Sequence, residues 1–532
     1  MRISLRLLTL AAALILTLTP VAARNTLDLD SATVADLNAA FKAGTLTSEK
    51  LVQLCLARIE AYDRKGPALR AMITVNPKAL ETARALDAER TSKGPRSPLH
   101  GIPVLLKDNY DTADMPTTGG SLLLEGSMAP DDAFMVKKLR EAGAVFIGKA
   151  NLSEFASGAA HSSLGGQMRN PHDLLRSPSG SSGGTGIGIA AGYAVIGLGT
   201  DTGGSIRGPS TANGIAGLKP THGLLSRDGI IPLALSFDTG GPMARSVYDV
   251  AVSLGVMAGI DPADAATKKS EGRFERDYTR YLKTDALKGA RIGIARDFMG
   301  QDADVDWVIE AALDAMKREG ATIVDIRYPR WVLDAKGEFY NAIRYPEFVA
   351  QIAQYLATAG ANYPKNIDQL LERAARVYGL REDGAGPNPG RWGLMKREAG
   401  SGTLTDYQYT SVRDHGLPLM RAVIDGIFTA NNLDAIVYPT ASRRPGLNAA
   451  PPEVPGGSAA SGSNLANLTG FPDLIVPAGF TGDDLPVGIS FFGPAWSEPK
   501  LLALGYSFEQ ITKARRLPVH TPRLSGEIVT LP

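Results

Sequence analysis

The chain has 532 residues, of which 44% are hydrophobic and 21% charged, a balance that fits a soluble globular protein and excludes a wholly disordered one. Lys plus Arg number 56 against 55 for Asp plus Glu, so there is neither a basic excess for nucleic acid nor an acidic tail. The single cysteine, Cys55, excludes an intramolecular disulfide and any cysteine-rich zinc site.

Residues 1–23 have the layout of a secretory signal. Arg2 and Arg6 supply a positive start, and residues 7–18 form an apolar stretch too short to span a membrane comfortably. Val21-Ala22-Ala23 places small residues at a cleavage point. The expectation is a chain cut after Ala23, periplasmic or secreted, with no stable membrane insertion afterwards. Residues 31–62 read as two short amphipathic helices, capped by Ser31 and Thr47 and broken at Gly44. Cys55 joins Leu51, Leu54 and Ile59 in an apolar stripe at helical spacing. A helix is predicted over 77–92, a buried strand over 102–106, a helix over 136–142 and a strand over 144–147. From Ser177 to Gly241 the chain is dense in Gly and Ser; within it 187–194 reads as a helix and 195–198 as a strand. Strands at 291–295 and 322–326 flank a helix at 305–318. Residues 333–432 read as mostly helical, with loops around 383–392. Late strands are predicted at 435–438, 474–476 and 487–491, and a last helix at about 498–513. Strands alternating with helices imply an α/β layered domain with a largely buried sheet. The stretch 444–462, rich in Pro, Gly, Ser and Ala, is a loop long enough to form a pocket wall.

Two Gly/Ser segments carry the chemistry: Ser179-Gly180-Ser181-Ser182-Gly183-Gly184 and Asp201-Thr202-Gly203-Gly204-Ser205-Ile206-Arg207. Such runs are often flexible linkers. Here both adjoin apolar segments, with a helix-like and a strand-like stretch between them. A Gly-Gly pair before a serine lets backbone N–H groups turn inward, and such groups can hold a developing oxyanion. Ser205 is therefore a nucleophile candidate. A serine needs a base. The histidines (His100, His161, His172, His222, His415 and His520) stand in no triad motif and read as surface or packing residues. Lys107 follows the apolar run 102–106 and so lies at a strand end. Held among apolar walls and hydroxyls it would lose its charge more easily and act as a base; solvated, it would be an ordinary surface lysine. The residues alone leave both open. Gly180–Gly184 also matches the G-x-S-x-G elbow, but Arg176-Ser177-Pro178 is not strand-like. Ser497–Lys500 matches S-x-x-K without a supporting Lys-Thr-Gly after it. No H-E-x-x-H, Walker A or dinucleotide fingerprint occurs.

Taken together these residues resemble the amidase signature family. The resemblance runs through GIPVLLKDN (101–109), GKANLSEFA (148–156), SPSGSSGGTG (177–186), GLGTDTGGSIRGPS (197–210), GIAGLKPTHGLLS (214–226) and DTGGPMARS (238–246), with GFPDLIVPAGF (470–480) near the end. The first helical segment, ARSVYD and AWSEPKL look closest to bacterial peptide amidases, which remove the C-terminal amide from peptides. The resemblance implies an α/β amidase signature fold, with a mixed central β-sheet covered by helices on both faces. It implies one domain over 24–532, with a signature core at about 101–241 and a helical, pocket-forming segment at about 333–432. It also implies a Ser–cisSer–Lys triad. Ser205 would be the nucleophile, Ser181 the bridging serine after a cis Gly180–Ser181 peptide, and Lys107 the base. The N–H groups of Thr202, Gly203, Gly204 and Ser205 would form the oxyanion hole. Ser182 would support Lys107 and Ser181 by hydrogen bonding, and Asp201 and Arg207 would brace the loop. Ser179 stands where the family usually has Gly. No cofactor or metal is implied.

The reading is an exported hydrolase of carboxylic amides that works through an acyl-enzyme, with peptide C-terminal amides as one substrate class. Aryl amides, carbamates and esters are the alternatives within the family. A glutaminase subunit of a tRNA amidotransferase is a further one, opposed by the signal sequence. The expected partner is a small-molecule or peptide amide, not nucleic acid, and the chain is expected to be a monomer or homodimer. The pocket is expected from segments near 118–130, 157–166, 333–400 and 440–465.

Overall fold

The computed structural model describes residues 26–448, 462 and 464–530. The expected signal at 1–23 and most of the loop at 444–462 lie outside the described residues. Eleven strands form one mixed sheet. In chain order they are β1 (Met72–Val75), β2 (Pro103–Lys107), β3 (Val145–Ala150), β4 (Ile196–Asp201), β5 (Ala216–Lys219), β6 (Thr239–Ala244), β7 (Arg291–Ala295), β8 (Thr322–Ile326), β9 (Ala435–Pro439), β10 (Asp473–Phe480) and β11 (Pro486–Phe492). Their order across the sheet is β8-β7-β9-β11-β10-β5-β6-β4-β2-β3-β1. β2 pairs in parallel with β3 and β4, whereas the run from β4 through β6, β5, β10 and β11 to β9 is antiparallel.

The central strands are buried on both faces, so they read as continuous apolar runs rather than alternating ones. In β2, Val104 and Leu106 enter the core on one face and Leu105 the core on the other. The period of two then places Lys107 on the Leu105 side. That side is covered by α2 (Ser48–Tyr62) and α3 (Gly183–Ala190), whereas α1 (Val34–Lys42) packs on the opposite face. Helices thus cover both faces of an α/β sheet. Cys55 is a buried residue of α2.

Several boundaries differ from the sequence reading, each for a local reason. α1 is capped by Thr33 rather than Ser31: the Asp36 N–H donates to the Thr33 hydroxyl and the Asp36 carboxylate accepts from the Thr33 N–H, a closed reciprocal pair. The Ser31 hydroxyl instead donates to the Asp28 carbonyl. The helix expected over 187–194 begins at Gly183 and ends at Ala190. Close packing selects its glycines, since a β-carbon on Gly184 would lie 2.3 Å from the Asn151 carbonyl oxygen. Strands β1, β5 and β6 are additional; β6 contains Gly240, Gly241 and Pro242, which disguise a strand. Within 333–432, α5 (Arg330–Leu356) contains Pro346, and α6 (Pro389–Ala399) starts inside the expected loop. Pro389 suits a first helical turn, and Asn388 caps it by accepting from the Arg391 N–H.

Candidate active site

β2 delivers Lys107 into a fully buried position between two hydroxyls. Its Nζ lies 2.7 Å from Ser181 Oγ and 2.7 Å from Thr200 Oγ1. Burial pushes the amine down to about 7, while the carboxylates of Asp201 and Asp238 pull it the other way. Asn109 Nδ2 donates to Thr200 Oγ1 at 3.1 Å, which leaves the Thr200 proton free to point at the lysine nitrogen. Thr200, the penultimate residue of β4, is a site residue that sequence reasoning missed. A threonine in a strand reads as β-propensity, and nothing in its spacing marks it.

Ser181 is buried and follows a cis Gly180–Ser181 peptide, and its carbonyl accepts from the Ser153 N–H at 3.0 Å. Ser182 sits at the start of α3, but its hydroxyl reaches neither Lys107 nor Ser181. It donates to the Thr200 carbonyl at 3.2 Å and accepts from the Thr200 N–H at 3.3 Å. The support expected of Ser182 therefore passes through Thr200. The Ser182 N–H donates to the Ser205 carbonyl at 3.2 Å, tying the two Gly/Ser segments together.

Ser205 is half-buried and lies between the end of β4 and α4 (Arg207–Ala212). Asp201, the last residue of β4, curls the loop: its carboxylate accepts from the N–H groups of Gly204 (2.8 Å) and Ile206 (2.9 Å). The Gly204 N–H is thus occupied, a departure from the expected four-donor hole. The N–H groups of Thr202, Gly203 and Ser205 make no hydrogen bond among the described residues. Arg207 Nε lies 3.1 Å from Asp201, its Nη1 3.1 Å from Asp473, and its Nη2 donates to Asn467 Oδ1 at 2.6 Å. Burial alone would push the Asp201 carboxyl up, but the guanidinium and the N–H donors outweigh it and hold it well below the usual carboxylate range.

α5 crosses above this loop. A β-carbon on Gly203 would lie 2.8 Å from the Tyr340 hydroxyl, and the Tyr340 ring stacks on Phe237 with centroids 5.5 Å apart. One turn further along, Arg344 Nη2 donates to the Ser157 hydroxyl at 2.8 Å, which pins the helix to the 157–166 segment. A small cavity of about 10 Å³ lies beside Thr200 and Thr202, walled by Ala156, Ile231 and Leu233. Residues 227–239, which supply much of its wall, lie outside the segments expected to form a pocket. The histidines are elsewhere: ring nitrogens of His100, His172 and His222 meet the carbonyls of Leu86, Asn213 and Leu235. Among the described residues no group of three or more His, Cys, Asp and Glu side chains is arranged to hold a metal ion.

A two-faced α/β sheet that sets a buried, easily neutralised lysine against a serine, with a second, half-buried serine on the adjoining loop, defines an enzyme site suited to proton transfer and nucleophilic attack. The model of the Amidase family matches residues 50–502, and the chain belongs to that family as an amidase, a hydrolase of amide C–N bonds. The chain is 40% identical to the solved structure of native peptide amidase from Stenotrophomonas maltophilia, covering 92% of this chain and 99% of that one with a TM-score of 0.82. It is 36% identical to a glutamyl-tRNA(Gln) amidotransferase subunit of Halorhodospira halophila, over 90% of this chain and 97% of the relative. The solved structure of the corresponding subunit from Thermotoga maritima is 28% identical, covers 92% and 98%, and has a TM-score of 0.70.

Proposed function

We propose that the protein is an exported amidase that hydrolyses C-terminal amides of peptides through an acyl-enzyme on Ser205. The observation that carries the mechanism is the 2.7 Å contact between the buried Lys107 amine and Ser181. A neutral Lys107 accepts the Ser181 proton as Ser181 accepts that of Ser205. Ser205 Oγ then bonds to the amide carbon. The negative charge that develops on the carbonyl oxygen meets the free N–H groups of the 202–205 loop. The proton returns through Ser181 to the leaving nitrogen, the C–N bond breaks and ammonia departs. Water, deprotonated by the same relay, attacks the ester and frees the acid and Ser205.

The peptide-amide reading is supported by the higher identity and TM-score with the peptide amidase structure than with the amidotransferase structure. The export reading rests on the signal-like residues 1–23. A glutaminase role within an amidotransferase is the second reading, favoured by the curated relatives that carry that name. The test is ammonia release by residues 24–532, with Ser205→Ala as control. The panel holds C-terminal peptide amides, aliphatic amides, anilides and free glutamine. Release from peptide amides, lost by at least about 10⁴-fold in Ser205→Ala, is the expected result. Turnover of glutamine alone would replace the substrate reading, and turnover that survives Ser205→Ala would remove the mechanism.

A further inference from the structure

We propose that Asp238 is a positioning residue for this chemistry: it fixes the oxyanion loop through Thr202 and, together with Asp201, supplies negative charge near Lys107. The inference rests on the reading of Ser205 as nucleophile and Lys107 as base.

Asp238 immediately precedes β6 and is buried. Its Oδ1 accepts from Thr202 Oγ1 at 2.5 Å, and its Oδ2 accepts from the N–H groups of Leu233 (2.9 Å) and Ala234 (3.0 Å). Burial pushes the Asp238 carboxyl up, and the three donors, with Arg227 nearby, work against that rise in favour of the ionised carboxylate. Bonds of this kind are roughly twice as strong as neutral ones. Thr202 is the first residue beyond β4, and its hydroxyl is committed to this bond. The bond anchors the residue at the point where three unengaged N–H groups begin.

Two carboxylates bear on the charge of Lys107. Lys107 faces Asp201 at the end of β4, Asp238 before β6, and the hydroxyls of Ser181 and Thr200. Asp201 is neutralised by Arg207 at 3.1 Å. Asp238 has no ion pair among the described residues. Arg227 lines the same cavity, but its guanidinium is bonded to Asp264. Tyr340 faces Asp238 from α5 and carries no charge at neutral pH. Asp238 therefore adds to Asp201 an anion without an ion pair of its own, which favours the protonated lysine and stabilises the cation formed when Lys107 takes a proton.

The experiment uses the full mature chain and two readouts. One is kcat and KM against pH on the amide that the panel selects. The other is the rate at which an alkyl fluorophosphonate modifies Ser205, where the Oγ–P bond forms, fluoride leaves and the proton passes toward Lys107. This probe needs no natural substrate. Asp238→Asn is expected to move the rising limb of both profiles to lower pH by about half a unit or more, because the lysine loses a stabilising charge. Thr202→Val should leave the limb in place and cut kcat about 10-fold with KM within about twofold, and Thr202→Ser should restore it. The double variant should lose less than the product of the single losses. An unmoved limb in Asp238→Asn, or full kcat in Thr202→Val, overturns the proposal. If Asp238→Asn does not fold, Thr202→Val alone decides. Loss of both readouts in Ser205→Ala with unaltered Asp238→Asn sinks this inference alone; probe reaction that persists in Ser205→Ala sinks the reading beneath it.

Discussion

Lys107 and Lys219 occupy matching places. Each is the last residue of a buried strand, β2 or β5, each is fully buried, and burial pushes each amine down to about 7. Their partners differ. Lys107 meets the Thr200 carbonyl at 3.4 Å but also two hydroxyls at 2.7 Å, and hydroxyls carry protons that a neutral amine can take. Lys219 meets the backbone carbonyls of Pro220 (2.9 Å) and Phe471 (2.8 Å), which only accept. A depressed lysine is therefore not in itself a base. On the proposed mechanism it becomes one where a neighbour has a proton to give and relays it from a nucleophile. Lys219 serves instead to satisfy two buried carbonyls beside the Arg207–Asp473 pair.

Three substitutions test this contrast, in descending order of effect. Lys107→Ala should lower kcat about 10³- to 10⁴-fold and erase the rising limb near pH 7, read from the pH dependence of kcat/KM. Lys219→Met should keep that limb and act on stability. Its wild-type amine is lowered from 10.5 to about 7, so between those values the unfolded chain binds more protons and stability rises with pH. Lys219→Met should flatten that rise. At pH 11, above the unfolded value, where burial of the charge no longer costs the wild type, the lost carbonyl bonds should leave the variant about 1–3 kcal/mol less stable in denaturant unfolding. A Lys219→Met protein that loses the catalytic limb would erase the distinction between the two lysines. Ser182→Ala should cost least, about three- to tenfold in kcat, because it frees the Thr200 backbone without removing a group that moves protons.

The sequence made the ends of this contrast legible unequally. The apolar run Ile102–Leu106 exposes β2 and places Lys107 at its tip, because burial on both faces leaves an unbroken hydrophobic signature. α3 hides better: GGTGIGIA is poor helix-forming sequence, and tertiary contact with Asn151 and β4 overrides propensity. β5 and β6 are similarly masked by Gly and Pro. Ser205 stands out through the Gly-Gly pair before it, whereas Ser181 takes its role only from the family pattern. Thr200 and Asp238 do not stand out, since their roles arise from contacts across strands that are distant in sequence. The engagement of the Gly204 N–H by Asp201 is likewise a matter of loop geometry that residue identities do not record.

The pairing of Thr26–Asp28 with Ile528–Thr530 sets a temporal order on how this molecule is made. Arg58 reinforces that closure, reaching Glu527 at 2.7 Å, Asp30 at 3.3 Å and the Ala191 carbonyl just past the end of α3. The strand at 26–28 waits for a partner about five hundred residues downstream. A chain made only as far as the proposed catalytic loops lacks the clasp behind them. Loop-closure entropy makes such distant contacts slow to form, so this clasp is among the late contacts of folding.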